Sequence, residues 1–368
     1  MSSSDLFAFD RPTPAMDVER AVAELRFGRP VLVREGARHL AVLALDCVAP
    51  GLYDRFADVV GMEHSLLLTA PRALSLGIGE GRDVTTPLRG LSFEEASTLA
   101  YALQPEPPTI WQAADPLLAL SAELARIALL LPAMVAAEIT GRERLFAACH
   151  CLNAVHLKGA QPSRQHFEIV ARTPVPLKDL GLADFVVFRG GLAQKDQVAI
   201  VVGKPDAGKP VPVRIHSSCL TGDLCGSLKC DCGDQLRNGL KLLHQAGGGV
   251  LLYLDQEGRG TGIGAKMRAY GYQNEGLDTI DADAELGLKA DHRRYEAAVA
   301  MLGLLGIESV VVYTNNPTKI AALRAGGIAV DARNPVTGRV TAENADYLRT
   351  KTLRAGHMMD LQSLRRTQ

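Results

Sequence analysis

Apolar positions along the chain fall into two kinds of run. Short, β-branched runs bounded by Gly, Pro or polar residues predict strands at 30–34, 40–45, 185–188, 198–202, 211–215, 250–254 and 309–314. Longer runs with apolar residues three and four apart predict helices at 18–27, 117–139, 234–246, 266–273 and 294–303. Capping chemistry sets several boundaries. Asp17 is read as the N-cap of the first helix and Gly28 as its stop. Pro132 should kink or split the 117–139 run, and Gly247 to Gly249 end the 234–246 helix. Asn316 is read as an N-cap, Pro317 as the first helical residue after it, and Gly326-Gly327 as the stop. The stretch 104–108, Gln-Pro-Glu-Pro-Pro, reads as a loop. Strands and helices interleave in both halves, with no internal repeat. This predicts an α/β (mixed α+β) protein of two domains, 1–165 and 166–368, each a mixed β-sheet flanked by helices.

Composition narrows the class. The 368 residues suffice for two ordinary cores, and 47% apolar with 22% charged residues is the balance of a soluble globular protein. A net charge of −1 gives no general attraction to nucleic acid, so a polyanionic ligand must be met by local positive charge. The longest apolar run, near 127–139, is interrupted by Pro132 and too short to span a bilayer. The first residues, Met-Ser-Ser-Ser-Asp-Leu-Phe, lack the basic and apolar regions of a secretory signal. Seven cysteines, an odd number with four bunched together, argue against a disulfide framework and for a reducing cytosol.

The bunched cysteines carry the clearest chemistry. Cys230 and Cys232 lie two apart, and Cys219 lies eleven residues upstream. On a strand, residues two apart share a face, so the pair would offer two thiolates to one ion. Three sulfur ligands suit Zn²⁺ and leave the fourth tetrahedral position open, as in a catalytic site. Burial as small apolar residues is the competing reading, but the surrounding Gly, Asp, Thr and Arg fit it poorly. Cys149-His-Cys151 with His156 imitates a ligand set, yet is read as core or domain-junction packing, and Cys47 as core.

Two glycine-rich segments imitate nucleotide motifs. Gly203-Lys-Pro-Asp-Ala-Gly-Lys209 nearly spells a P-loop, but Pro210 replaces the hydroxyl that would hold Mg²⁺. It is read as a hairpin loop. Gly260-Thr-Gly-Ile-Gly-Ala265 follows a strand and opens a helix, but no strand precedes Asp278, Asp281 or Asp283 to complete a dinucleotide site. Its glycines are read as letting the backbone approach a phosphate or base. Arg214, Arg259, Arg293 and Lys319 sit beside these loops and caps, a placement that favours a nucleoside triphosphate. Glu257 and Gln235 are candidates for reading a purine edge.

In fixed order the chain carries Arg214-Ile-His-Ser-Ser-Cys-Leu-Thr-Gly-Asp223, Gly226-Ser-Leu-Lys-Cys-Asp-Cys-Gly233 and Gln256-Glu-Gly-Arg-Gly260. Lys266-Met-Arg-Ala-Tyr270, Gly276-Leu-Asp-Thr279, Ala290-Asp-His-Arg293 and Thr314-Asn-Asn-Pro-Thr-Lys319 follow, then Asn344-Ala-Asp-Tyr-Leu-Arg-Thr-Lys351 and Gly356-His357. From about 170 to 360 this series resembles GTP cyclohydrolase II, which opens riboflavin synthesis. The resemblance implies one zinc per subunit on Cys219, Cys230 and Cys232, activating water for attack on C8 of guanine with release of formate. It implies GTP contacts by Arg214, Ile215, His216, Ser217, Ser218, Gln235, Glu257, Gly258, Arg259, Thr279, Thr314 and Lys319. Asp291 would accept a proton, and Tyr270 fits the deformylated product. The family assigns Arg293 nucleophilic attack on the α-phosphorus, but a guanidinium is almost always protonated, so electrostatic stabilisation is the better physical role. Mg²⁺ would accompany the triphosphate, and a cytoplasmic homodimer without nucleic-acid or membrane partners is implied. Cys225 has no counterpart in the ligand set.

Ser218 departs from the family's usual Glu before the first zinc Cys. The segments at 18–33 and 64–77 resemble 3,4-dihydroxy-2-butanone 4-phosphate synthase, often fused ahead of GTP cyclohydrolase II. That enzyme's acidic metal-binding run is replaced by Arg34-Glu-Gly-Ala-Arg-His-Leu, so the N-terminal domain is read as a degenerate, structural or regulatory remnant. Two alternatives remain open at this point: a GTP-binding regulator or scaffold without turnover, and a bifunctional enzyme.

Overall fold

A computed structural model describes residues 13–192, 195–206, 208–354 and 356–358. The N-terminal stretch read for a secretory signal lies outside the described residues. By contacts the chain divides into two units. One comprises Met1–Ala100, Pro105–Ala128 and Pro132–Ser163, the other Tyr101–Gln104, Leu129–Leu131 and Arg164–Gln368. Each is built on a seven-stranded mixed sheet with helices, the expected fold class.

The N-terminal sheet contains β1 (Val31–Glu35), β2 (Arg38–Ala44), β3 (Ser65–Leu68), β4 (Val84–Pro87), β5 (Gln112–Ala113), β6 (Met134–Glu138) and β7 (Cys151–Asn153). Their order is β5-β4-β3-β6-β2-β1-β7, antiparallel throughout except for β1 with β7. Pro132 does split the 117–139 run, into the helix Pro116–Ile127 and β6. The second piece is therefore a strand, contrary to its helical period. It lies between β3 and β2 with its first four residues buried, and a short, wholly buried strand cannot be told from a buried helix by periodicity.

The first helix spans Pro14–Arg26 and is capped by Thr13, not Asp17. Pro14 takes the first helical position, where a missing N–H costs nothing, so the helix starts earlier than expected. Asp17 instead pairs with His150 at 3.1 Å and His156 at 2.6 Å. The Cys149 to His156 cluster is thus tied by contacts to the Asp17 carboxylate rather than packed as core: Cys149 is half-buried and Cys151 exposed. Cys47, expected in the core, is exposed as well.

The C-terminal sheet contains β8 (Phe167–Leu177), β9 (Gly181–Gly190), β10 (Gln197–Gly203), β11 (Val211–Ser217), β12 (Gly248–Leu254), β13 (Ser309–Tyr313) and β14 (Ala329–Asn334). Their order is β14-β13-β11-β12-β10-β9-β8. β11, β12, β13 and β14 run parallel, while β12, β10, β9 and β8 alternate. Side-chain alternation divides the core. Val250, Leu252 and Leu254 of β12 pack with Ala298, Met301 and Leu302 of the helix Glu296–Leu304. Leu251, on the opposite face, packs with Leu243 and Leu240 of the helix Cys232–Gln245.

β8 was not foreseen. Pro174 and Pro176 disguise it, and such prolines are tolerated because β8 is an edge strand, largely exposed. The segment from Gly203 to Lys209 is not a hairpin: β12 lies between β10 and β11, so the connection crosses a strand. Its Ala207 lies outside the described residues. No helix among the described residues is long and apolar enough to cross a membrane.

Candidate active site

β11, β12 and β13 are parallel neighbours, so their carboxyl ends fall on one edge of the sheet, where α/β proteins place ligands. Ser218 and Cys219 follow β11, Gln256 to Arg259 follow β12, and Thr314 to Asn316 follow β13 and cap the helix Pro317–Ala325. Together they open a cavity of about 260 Å³. It is lined by Arg214, His216, Ser217, Ser218, Gln235, Glu257, Gly258, Arg259, Tyr270, Thr279, Asp291, Arg293, Thr314, Lys319 and the three cysteines. Only Ile215, among the residues proposed from sequence, does not line it. Alternation along β11 sends Arg214 and His216 to the cavity side and buries Ile215 in the core, where its carbonyl accepts from Lys319 Nζ at 2.7 Å.

The cysteines converge, but not on a strand as expected. Cys219 follows β11 and precedes the π-turn Leu220–Leu224; Cys232 opens the helix Cys232–Gln245. Their three sulfurs lie within 4.8 Å of one another. Cys219 and Cys230 are 3.7 Å apart, and tetrahedral Zn–S bonds of about 2.3 Å place sulfurs about 3.8 Å apart. Gly222 makes the convergence possible. A Cβ there would lie 2.8 Å from Cys230 Sγ, 2.9 Å from Cys232 Cβ and 3.1 Å from Cys219 Sγ. Hydrogen bonds from the Cys230 and Cys232 thiols hold the Cys219 thiol far below its ordinary value against burial, with help from Lys266 Nζ at 3.1 Å. The donor set therefore suits a soft divalent cation and contains a ready thiolate.

Asp223 braces this end. It accepts from Cys219 N at 2.9 Å, Tyr253 Oη at 3.0 Å and His216 Nε2 at 3.1 Å. Burial lowers the pKa of His216, which stacks on Tyr253 and donates its Nε2–H to Asp223. Burial also raises the pKa of Tyr270, keeping the phenol protonated.

The two purine-edge candidates are already engaged. Glu257 accepts from Leu220 N at 2.5 Å and Lys266 Nζ at 2.8 Å. Gln235 accepts from Arg214 at 2.9 Å and donates to Asp231. Gly260, in the dinucleotide-like segment, packs against protein: a Cβ there would meet the His292 carbonyl at 3.0 Å. Arg259 holds φ +59 and reaches Ala290 O and Asp283 Oδ2, both at 2.7 Å. Burial lifts the Asp283 carboxyl to about 6.

On the same cavity wall Arg293 pairs with Asp291 at 2.6 Å. Burial would raise the Asp291 pKa, but the Arg293 contacts prevail and lower it. Arg293 itself is held protonated despite burial, chiefly by Tyr295 and Asp291. Arg214 and Lys319 have no carboxylate partner among the described residues. Burial, and then Arg293, Arg214 and Lys351, push Lys319 well down. Arg214 therefore brings a positive charge with no carboxylate partner among the described residues, and the Lys319 ammonium is disfavoured unless an anion lies beside it. Lys266, Asp283, Tyr347, Lys351 and His357 also line the cavity and were given no role from sequence. Several lie in the quoted motifs, the only signal that marked them.

The GTP cyclohydrolase II family model matches residues 168–335. GTP cyclohydrolase-2 of Xylella fastidiosa (strain 9a5c) is 54% identical over 356 residues, 96% of this chain and 89% of its own. GTP cyclohydrolase-2 of Azospirillum brasilense is 38% identical over 362 residues, 93% of each chain. A solved two-domain 3,4-dihydroxy-2-butanone 4-phosphate synthase from A. baumannii aligns with 88% of this chain and 99% of its own. Its identity is 19% and its TM-score 0.32. Relatives this similar over almost the whole chain, together with a cavity that joins the family's motifs, establish that the chain belongs to the GTP cyclohydrolase II family.

Proposed function

We propose that the chain hydrolyses GTP to 2,5-diamino-6-(5-phosphoribosylamino)pyrimidin-4(3H)-one, formate and pyrophosphate, the first step of riboflavin biosynthesis. One observation carries the reading: a single cavity gathers three convergent thiols with Arg214 and Lys319, which have no carboxylate partner among the described residues. Cys219, Cys230 and Cys232 would hold zinc, which when bound supplies Lewis acidity for hydrolysis at neutral pH. Mg²⁺ enters with the triphosphate.

The chain's own residues divide the work. Glu257 and Gln235 keep spare lone pairs for the N–H groups of a purine edge. Ser217, Thr279, Thr314 and the Gly258 backbone offer short polar contacts around the nucleoside. Ser218, where the family usually has Glu, accepts from Gln256 N at 3.1 Å, so its hydroxyl braces the loop that carries Glu257. His216 is neutral and holds Asp223, which fixes the backbone of Cys219. Tyr270 stays a phenol, with Lys266 over its ring, and offers its O–H to the substrate. Asp291, held by Arg293, would be the proton acceptor. Arg293, locked as a cation, stabilises charge developing on the phosphate rather than attacking it.

The N-terminal unit is proposed to be non-catalytic. Relatives alike over nearly the whole chain carry the name GTP cyclohydrolase-2. All seven cysteines are free, which supports a cytoplasmic setting, and a homodimer is proposed from the family resemblance. Product analysis tests the assignment. Zinc-loaded protein with GTP and Mg²⁺ should release formate and pyrophosphate in equal amounts and make no dihydroxybutanone phosphate from ribulose 5-phosphate. Tight GTP binding without formate would replace this reading with that of a non-catalytic nucleotide-binding protein.

A further inference from the structure

The motifs at 344–351 and 356–357 have no part in the roles above, yet the structure brings them into the cavity. The helix Ala345–Leu353 follows Asn344, which is 1% exposed and ties its own turn through Thr341 N at 2.9 Å and Arg339 O at 3.0 Å. Three further contacts anchor the segment to the C-terminal unit. Arg354 pairs with Asp281 at 2.9 Å. Met358 N donates to Asn315 O at 2.9 Å, beside the end of β13. Lys351 Nζ reaches Asp231 Oδ1 at 3.1 Å, between two of the clustered cysteines.

This path sets Tyr347, Lys351 and His357 on the cavity wall. Their surroundings are cationic. The pairs Arg293–Asp291, Arg259–Asp283 and Lys266–Glu257 engage the acidic side chains that line this cavity, and Lys351 engages Asp231 behind it. Arg214 and Lys319 remain without a carboxylate partner among the described residues, donating only to neutral groups. The field is strong enough that burial, followed by Lys351, Arg293 and Lys319, drives the His357 imidazole down to about 3. Cations held together without matching anions are costly unless a ligand supplies the negative charge.

We propose that residues 345–354 and 356–358 form part of the polyphosphate site, with His357 and Lys351 contacting the phosphates of the substrate. The inference rests on the GTP reading and deepens it. Glu257 and Gln235 serve the guanine end, and the C-terminal segment adds to Arg214, Arg293 and Lys319 in selecting a polyphosphate. Because Lys351 also holds Asp231, the segment joins the phosphate end to the cysteine loop.

The test separates the two ends with half-ligands that are not turned over. Pyrophosphate and guanosine are measured as competitive inhibitors of the full-length, zinc-loaded enzyme and by calorimetry. The variants are His357→Ala, Lys351→Ala and Arg349→Ala. Arg349 is an exposed cation of the same helix, paired with Asp346 at 3.3 Å, and serves as the control. Loss of one charge-assisted contact should weaken pyrophosphate binding and raise the KM for GTP about tenfold or more in His357→Ala and Lys351→Ala. Guanosine should bind His357→Ala and Arg349→Ala as it binds the parent, and Arg349→Ala should match the parent throughout. Should Lys351→Ala misfold, His357→Ala still reads the contact. Unchanged pyrophosphate binding in His357→Ala, or equal weakening of guanosine and pyrophosphate, overturns the proposal. A parent protein that binds pyrophosphate but releases no formate from GTP refutes the assigned reaction and leaves this contact standing.

Discussion

The two units use sheets of the same size and differ in strand direction. In the N-terminal sheet every neighbouring pair but β1 and β7 is antiparallel, so successive loops are shared between opposite edges. In the C-terminal sheet β11, β12 and β13 run parallel, and three loops rich in Cys, Glu, Arg and Asn open on one edge. The units also treat buried charge differently. In the N-terminal unit the buried Asp17 carboxylate is hydrogen-bonded by His150 and His156. In the C-terminal unit Arg214 and Lys319 are equally buried but lack carboxylate partners among the described residues. Parallel strand ends gather the groups, and charge left uncompensated marks where a ligand belongs.

The sharpest way to break this comparison is to remove one buried arginine from each unit. Arg293→Ala should lower kcat for GTP about a hundredfold to a thousandfold, the usual cost of losing a preorganised stabilising donor. Arg72→Ala should leave kcat unchanged and lower unfolding free energy by about 2–4 kcal/mol through lost packing and an unpaired Leu99 carbonyl, to which Arg72 donates at 2.9 and 3.2 Å. Steady-state kinetics beside urea unfolding reads both, and equal losses of kcat would erase the distinction.

Crowded glycines give a second contrast. Gly222→Ala forces a methyl among the sulfurs and should weaken zinc binding about tenfold to a hundredfold in a chelator competition. Gly79→Ala places its methyl 2.7 Å from Val84 Cγ1 at φ +77, so it should lower stability by about 1–3 kcal/mol and leave zinc affinity alone.

The smallest effect concerns pH. His64 is 4% exposed against Tyr53 and Phe56, and burial lowers its pKa. Below its unfolded value of about 6.5 the unfolded chain takes up a proton that the folded chain refuses. Its contribution is therefore present above pH 6.5 and lost as pH falls, by at most about 1.4 kcal/mol per pH unit. His64→Phe should flatten the acid limb of stability by that slope, with turnover at neutral pH unchanged. An acid limb identical to the parent's would show that His64 is not the proton site.

Much of the C-terminal unit was legible because its strands are short apolar runs and its caps are local. Asn316, Pro317 and Gly326 mark their helix within a few residues, and the structure follows them. What escaped depends on tertiary placement. Periodicity does not reveal that residues 134–138 lie between two strands, nor that Pro174 and Pro176 sit on an edge. The cysteine spacing identified the convergent sulfurs, but the strand geometry assumed for Cys230 and Cys232 was wrong, because a loop and a helix start bring them together. Ile215 was included with its neighbours although alternation on β11 turns it to the core. Lys351 and His357 were visible as residues, but the packing of the C-terminal segment against Asn315 and Asp231, which gives them a place, is not encoded locally.

The central claim is that one cavity couples a three-thiolate zinc site to a triphosphate site. Titrating zinc into chelator-stripped protein while following formate release from GTP tests it most directly. Formate release should rise with added zinc and saturate at one ion per chain, and Cys230→Ala should show neither the saturation nor the activity. Formate release that is independent of zinc, or that survives in Cys230→Ala, would contradict the account.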